Sequence, residues 1–88
     1  MNKKYIVFDV GLNLFLKSKG FIPIIDEKSK EDGTCYKDDG KAYWRYEFNE
    51  RFGKHLENAL RNEQTKREIK IILDEYLESK SNYKGVNI

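Results

Sequence analysis

The chain has 88 residues, of which 39% are hydrophobic and 36% charged, with 17 basic and 15 acidic side chains and a formal net charge of +2. That length holds one domain with a small core, and a single cysteine, Cys35, excludes an internal disulfide framework. Residues 1–44 carry 8 basic and 7 acidic side chains and residues 45–88 carry 9 and 8, so the concentrated basic face of a phosphate-neutralising protein is absent and nucleic acid is not the favoured partner.

No apolar run approaches the length of a membrane span, and no membrane is expected as a partner. Met1 to Lys4 precede only the short run Tyr5–Phe8 before Asp9, which is not the pattern of a signal peptide. A lone cysteine fits a reducing compartment. The expected location is the cytoplasm.

Tyr5-Ile6-Val7-Phe8 is β-branched and aromatic and predicts a short strand. A helix follows from Val10 to Lys19, with Leu12, Phe15 and Leu16 at helical spacing, Asp9 as its N-cap and Gly20 as its left-handed stop. Phe21 to Ile25 predicts a second strand, placed at a sheet edge by Pro23, which has no N–H to give. Asp26 to Gly33 reads as a polar loop, and Thr34-Cys35-Tyr36 as a brief strand. Asp39-Gly40 predicts a type I′ hairpin turn, with positive φ at both residues. From Ala42 to Phe48 the alternation is clear. Ala42, Trp44, Tyr46 and Phe48 should face the core, and Tyr43, Arg45 and Glu47 should face outward.

Two apolar helical stripes close the chain. Phe52, Leu56, Ala59 and Leu60 form the first, behind Asn49 as N-cap. Ile69, Ile72, Leu73, Tyr76 and Leu77 form the second. Nine residues separate Leu60 from Ile69, which rotates a helix by roughly half a turn. A straight helix cannot bury both stripes in one small domain. Either the chain breaks near residues 62–65, where Thr65 and Glu68 make a capping box, or one helix of about 45 Å spans residues 50–79 and shows its second stripe to another chain. The residues between are good helix formers, so both options stand. The stripe itself either folds back on the same monomer or meets a second copy or a target, and a two-fold dimer would set it against itself. Residues 82–88 should fray.

No residue set reports a reaction. Ile6-Val7-Phe8-Asp9-Val10-Gly11 resembles the strand-Asp-x-Gly turn of the actin and sugar-kinase ATPases, and some resolvase-like nucleases begin similarly. Both need a longer chain or further carboxylates, and a helix cap suffices for Asp9. His55, the only histidine, has no Cys, Asp or Glu at ligand spacing. Cys35 lacks an evident base, and turn chemistry explains Asp38-Asp39. The run Gly40 to Phe48 mixes aromatic and basic residues much as RNA-stacking strands do. With Arg51, Lys54 and Arg61 on the outward side of the next helix, Tyr43 and Arg45 are the contacts to expect for a nucleic acid or a protein target.

The opening strand Tyr5–Phe8, the step Leu14-Phe15-Leu16-Lys17-Ser18-Lys19-Gly20-Phe21 and the strand Trp44-Arg45-Tyr46-Glu47-Phe48 followed by a helix resemble a family of small uncharacterised domains from phages and Gram-positive mobile elements. The resemblance covers residues 5–60 and supplies no catalytic residue. It implies a phage-encoded protein in the host cytoplasm that binds and blocks host machinery, as inhibitors of CRISPR effectors do.

The expected fold is α+β, a small antiparallel sheet of three or four strands covered by helices in the order β-α-β-β-α(-α), with a long or kinked C-terminal helix. Residues 1–62 form the core domain and residues 63–88 a helical extension. The expected function is that of a non-enzymatic protein-binding module without cofactor or metal, a homodimer through Ile69, Ile72, Leu73, Tyr76 and Leu77 with a protein target. A nucleic-acid-binding accessory protein is the alternative.

Overall fold

The computed structural model describes residues 3–86, with side chains through residue 79. The fold is α+β, in the order β1 (Lys3–Val7), α1 (Val10–Ser18), β2 (Cys35–Tyr36), β3 (Ala42–Phe48), α2 (Glu50–Arg61) and α3 (Glu63–Val86). The sheet is antiparallel with β3 in its centre, flanked by β1 and β2. Tyr5 lies opposite Tyr46 and Val7 opposite Trp44, so one face of both long strands is apolar. That face receives α1 and α2, and Val7, Phe15, Leu16, Trp44, Tyr46, Phe52, Leu56 and Ala59 form the core.

Local chemistry sets the elements. Asp9 accepts the Leu12 N–H at 2.9 Å and starts α1. The helix stops in two backbone bonds, from Gly20 N to Lys17 O and from Phe21 N to Leu16 O, with Gly20 at φ 92°. Asn49 caps α2 through the Phe52 N–H at 2.8 Å. Two buried polar contacts tie α1 and the loop before β2 to β3. Tyr46 donates its hydroxyl proton to Asn13 Oδ1 at 2.5 Å, and Trp44 Nε1 donates to Thr34 Oγ1 at 3.0 Å. Burial pushes the Tyr46 phenol up to about 12.

Four expectations need correction. Residues 21–25 are extended but form no strand. Ile24 N donates one bond to Arg45 O at 2.7 Å, but the next N–H aimed the same way, that of Asp26, bonds Ser29 Oγ at 2.9 Å within the loop, so the single bond does not grow into a ladder. The hairpin between β2 and β3 is not type I′, since among the described residues no non-glycine, Asp39 included, has positive φ. It is a three-residue loop in which Gly40 N bonds Lys37 O, Lys37 N bonds Lys41 O, and Gly40 alone is left-handed at φ 85°. Leu60 stays 57% exposed, so the first stripe narrows to Phe52, Leu56 and Ala59. The new helix starts earlier than Thr65. Asn62 is extended (ψ 120°), its N–H bonds Asn58 O to end α2, and its Oδ1 accepts the Thr65 N–H at 2.9 Å to begin α3.

The break at Asn62 therefore settles the path of residues 50–79 as two helices. It turns α3 back onto α1 and α2, where Ile69 and Ile72 pack against the core. The close approach depends on Gly11. A Cβ there would stand 3.2 Å from Ile69 Cγ2 and 3.5 Å from Leu73 Cβ. Backbone expected to fray from residue 82 is helical to Val86, and residues 87 and 88 lie outside the described residues.

Gly33 holds the loop under the sheet edge. It sits at φ 88°, and a Cβ would fall 2.5 Å from Pro23 Cγ. Gly33→Ala should cost about 1–3 kcal/mol from backbone strain alone, with the ring clash added. A lowered urea midpoint checks this, and an unchanged midpoint would mean the loop is not held there.

Candidate functional site

The alternation that buries Trp44 and Tyr46 turns Tyr43, Arg45 and Glu47 to the other side of β3. The register brings Lys4 and Ile6 of β1 to the same side, opposite Glu47 and Arg45. Among the described residues no helix covers this outer face. Ile6 is 48% exposed, Phe8 57% and Tyr36 52%. Isolated exposed apolar side chains are ordinary, but neighbours on one open face mark a contact surface. Together with Tyr43 they line an open hollow of about 470 Å³.

The Phe8 and Tyr43 rings lie 6.0 Å apart, tilted by 45°. Lys37 Nζ sits 5.5 Å over the Phe8 ring, and Lys30 Nζ 5.1 Å over Tyr36. Lys28 and Asp38 complete the rim. Such cations over rings add modest attraction.

Arg45 is on this face but not free. Its two terminal nitrogens reach both oxygens of Asp26, at 2.7 and 3.0 Å. This planar two-point pairing is the strongest form of the contact. The Arg45 hydrogen bond holds the Asp26 carboxyl down to about 2, helped by the Lys28 N–H, and Asp26 in return raises the already high Arg45 value. The pair fastens loop 21–34 to β3 and neutralises the centre of the face. Because the folded carboxyl titrates below its unfolded value, its contribution is present above pH 4 and is lost as pH falls toward 2. The 21–34 loop amides should therefore broaden or shift in NMR spectra over that window. Asp26→Asn should show the same change at neutral pH, and a loop indifferent to both would rule out the clasp.

The other basic residues named from the sequence stand elsewhere. Arg51 donates to Lys19 O at 2.9 Å and stacks 4.6 Å over Phe21. Lys54 lies 3.9 Å from Glu50, and Arg61 3.7 Å from Glu57, each one turn along α2. All three belong to the helix on the inner side of the sheet, so the set Tyr43, Arg45, Arg51, Lys54 and Arg61 does not form one surface. Sequence reading passed over Ile6, Phe8 and Tyr36. The β1 alternation held the signal for Ile6 and Phe8, since Val7 and Tyr5 belong to the core face.

The association stripe divides as well. Ile69, Ile72, Leu73 and Tyr76 are half-buried within the chain, and Leu77 is 52% exposed with Ile71 at 57%. Among the chemical candidates, Cys35 is buried and forms no disulfide among the described residues. His55 packs edge-on against Phe21 at 5.2 Å with Nδ1 3.0 Å from Arg51 O. Asp39 bonds the Lys41 N–H inside the hairpin. Among the described residues no three His, Cys, Asp or Glu side chains converge as metal ligands, and no helix is long and apolar enough to cross a membrane.

No family model matches the chain, and neither a curated protein nor a solved structure matches it. The geometry of the outer face is thus what any functional reading must start from.

Proposed function

We propose that the chain is a non-enzymatic protein-binding module whose contact surface is the outer face of the sheet. The observation that carries this reading is the uncovered cluster of Ile6, Phe8 and Tyr36, 48%, 57% and 52% exposed on a domain with so small a core. Burying such a cluster against a target supplies the apolar centre that stable interfaces require, with Lys28, Lys37 and Asp38 as a polar rim. Inhibition of a host defence protein is the narrower form of this reading, supported by the resemblance to small phage domains.

A second reading has its own observation. The Phe8–Tyr43 ring pair with Lys37 and Lys28 beside it has the composition of a platform for single-stranded nucleic acid. Arg45 is spent on Asp26, and Glu47 and Asp38 oppose phosphate, which weighs toward protein.

Two measurements test the pair. The wild-type chain, Phe8→Ser and the exposed control Leu60→Ser serve as baits in host lysate, and fluorescence anisotropy follows a labelled single-stranded oligonucleotide. A captured protein lost with Phe8→Ser and kept with Leu60→Ser supports the first reading. Oligonucleotide binding that weakens steeply with salt and is lost with Phe8→Ser replaces it with the second. Capture and oligonucleotide binding both indifferent to Phe8 would sink both.

A further inference from the structure

The free edge of β1 carries an inference beyond the target-binding face. The direction of its backbone groups follows from bonds on the far side of β3. Lys41 O accepts from Lys37 N at 2.9 Å, and Arg45 O accepts from Ile24 N at 2.7 Å. Odd-numbered residues of β3 therefore aim their backbone groups away from β1. In an antiparallel ladder opposite residues alternate between bonded and non-bonded pairs. Ile6, opposite Arg45, and Lys4, opposite Glu47, must then aim N–H and C=O out of the sheet. Tyr5 and Val7 spend theirs on Tyr46 and Trp44. β1 is an edge strand, and among the described residues no group outside the sheet bonds Lys4 or Ile6.

We propose that this edge pairs with β1 of a second copy, antiparallel and centred on Ile6. That register engages every outward-aimed residue from Lys4 to Phe8. Ile6 faces Ile6, and Lys4 faces Phe8. Charge selects the same register. Lys3 of one copy stands opposite Asp9 of the other, and the backbone is still extended at Asp9 (φ −89°, ψ 124°). Lys4 meets a Phe8 ring, a contact the chain already makes with Lys37. Neither Lys3 nor Lys4 has an ion-pair partner within the chain among the described residues. Lysines on an edge strand ordinarily deter pairing. Here the two-fold sends the two lysine pairs to opposite ends, where each meets a carboxylate and a ring. The product is one six-stranded sheet with the two outer faces side by side, a doubled platform for one target.

Light scattering on the full chain across a dilution series, with amide exchange on the same samples, tests this. The expected mass is twice 10.5 kDa at high concentration, falling to one chain on dilution. Lys4 and Ile6 amides should be protected only in the dimer. Ile6→Pro removes an outward N–H without touching the β1–β3 ladder and should abolish the dimer. Lys3→Glu sets like charges opposite Asp9 at both ends and should raise the dissociation constant roughly tenfold. It changes an exposed residue, so it carries the test if Ile6→Pro does not fold. A single-chain mass at every concentration up to millimolar overturns the proposal. So does a dimer whose Lys4 and Ile6 amides exchange as fast as in the monomer, or one indifferent to Lys3→Glu.

Discussion

Phe52→Ala should remove most of the protein's stability at room temperature. Phe52 is fully buried and meets four rings, Phe21 at 5.2 Å, Tyr46 at 5.4 Å, Phe48 at 5.8 Å and Tyr5 at 5.9 Å. These come from β1, the loop, β3 and the strand end, so one side chain joins the sheet to α2. Removing a buried phenylalanine costs about 3–5 kcal/mol. Small domains hold roughly 5–15 kcal/mol in all, and a chain this short belongs at the low end. Circular dichroism against urea reads the loss directly. Phe8→Ala is the matched control. Its ring is mostly exposed, so stability should move by no more than about 0.5 kcal/mol. Equal midpoints for the two variants would mean the core is not organised around Phe52.

The second large effect concerns α3. Ile72→Asp should lower stability by about 2–4 kcal/mol without changing the mass of the protein at low concentration. Ile72 packs against the core cluster, and the change both removes apolar contact and places a carboxylate against it. Leu77→Asp, on an exposed position of the same stripe, should leave the urea midpoint nearly unchanged. If instead Ile72→Asp splits a dimer and keeps the midpoint, the stripe faces another chain and α3 is not docked at Ile72.

Much of the fold was legible because it is encoded locally. The alternation from Ala42 to Phe48 predicted both faces of β3, and the Asp9 and Asn49 caps and the Gly20 stop are single-residue signals with one geometry each. What escaped reading depends on residues far apart or on one residue doing two jobs. Asn62 ends α2 with its N–H and begins α3 with its side chain, so it looks like neither a glycine stop nor the capping box at Thr65. Residues 21–25 have strand composition, but a ladder needs a partner with matching free groups. Beyond the two-residue β2, the side of β3 away from β1 receives, among the described residues, only the Ile24 N–H. The Asp26–Arg45 clasp joins residues 19 apart, and nothing at either position announces it. That clasp is why Arg45, the most attractive basic residue by pattern, is the one least available on the outer face.

Composition also hid the candidate site. Ile6 and Phe8 look like ordinary strand residues until the register shows Val7 and Tyr5 on the buried face. The phase difference between the two stripes pointed to another chain, and the turn at Asn62 instead lets Ile69 and Ile72 pack against the core of the same chain. With Ile69 and Ile72 packed inward, Ile71 and Leu77 stay exposed on α3, and the sheet adds its outer face and its β1 edge.

The position of α3 is the hinge of this account, and an isotope-filtered NMR experiment on an equal mixture of labelled and unlabelled chains tests it most directly. Contacts between the Gly11 protons and the Ile69 and Leu73 side chains should appear within labelled chains and persist on dilution. Finding them only between labelled and unlabelled chains, or not at all, would contradict it and return the second stripe to another molecule.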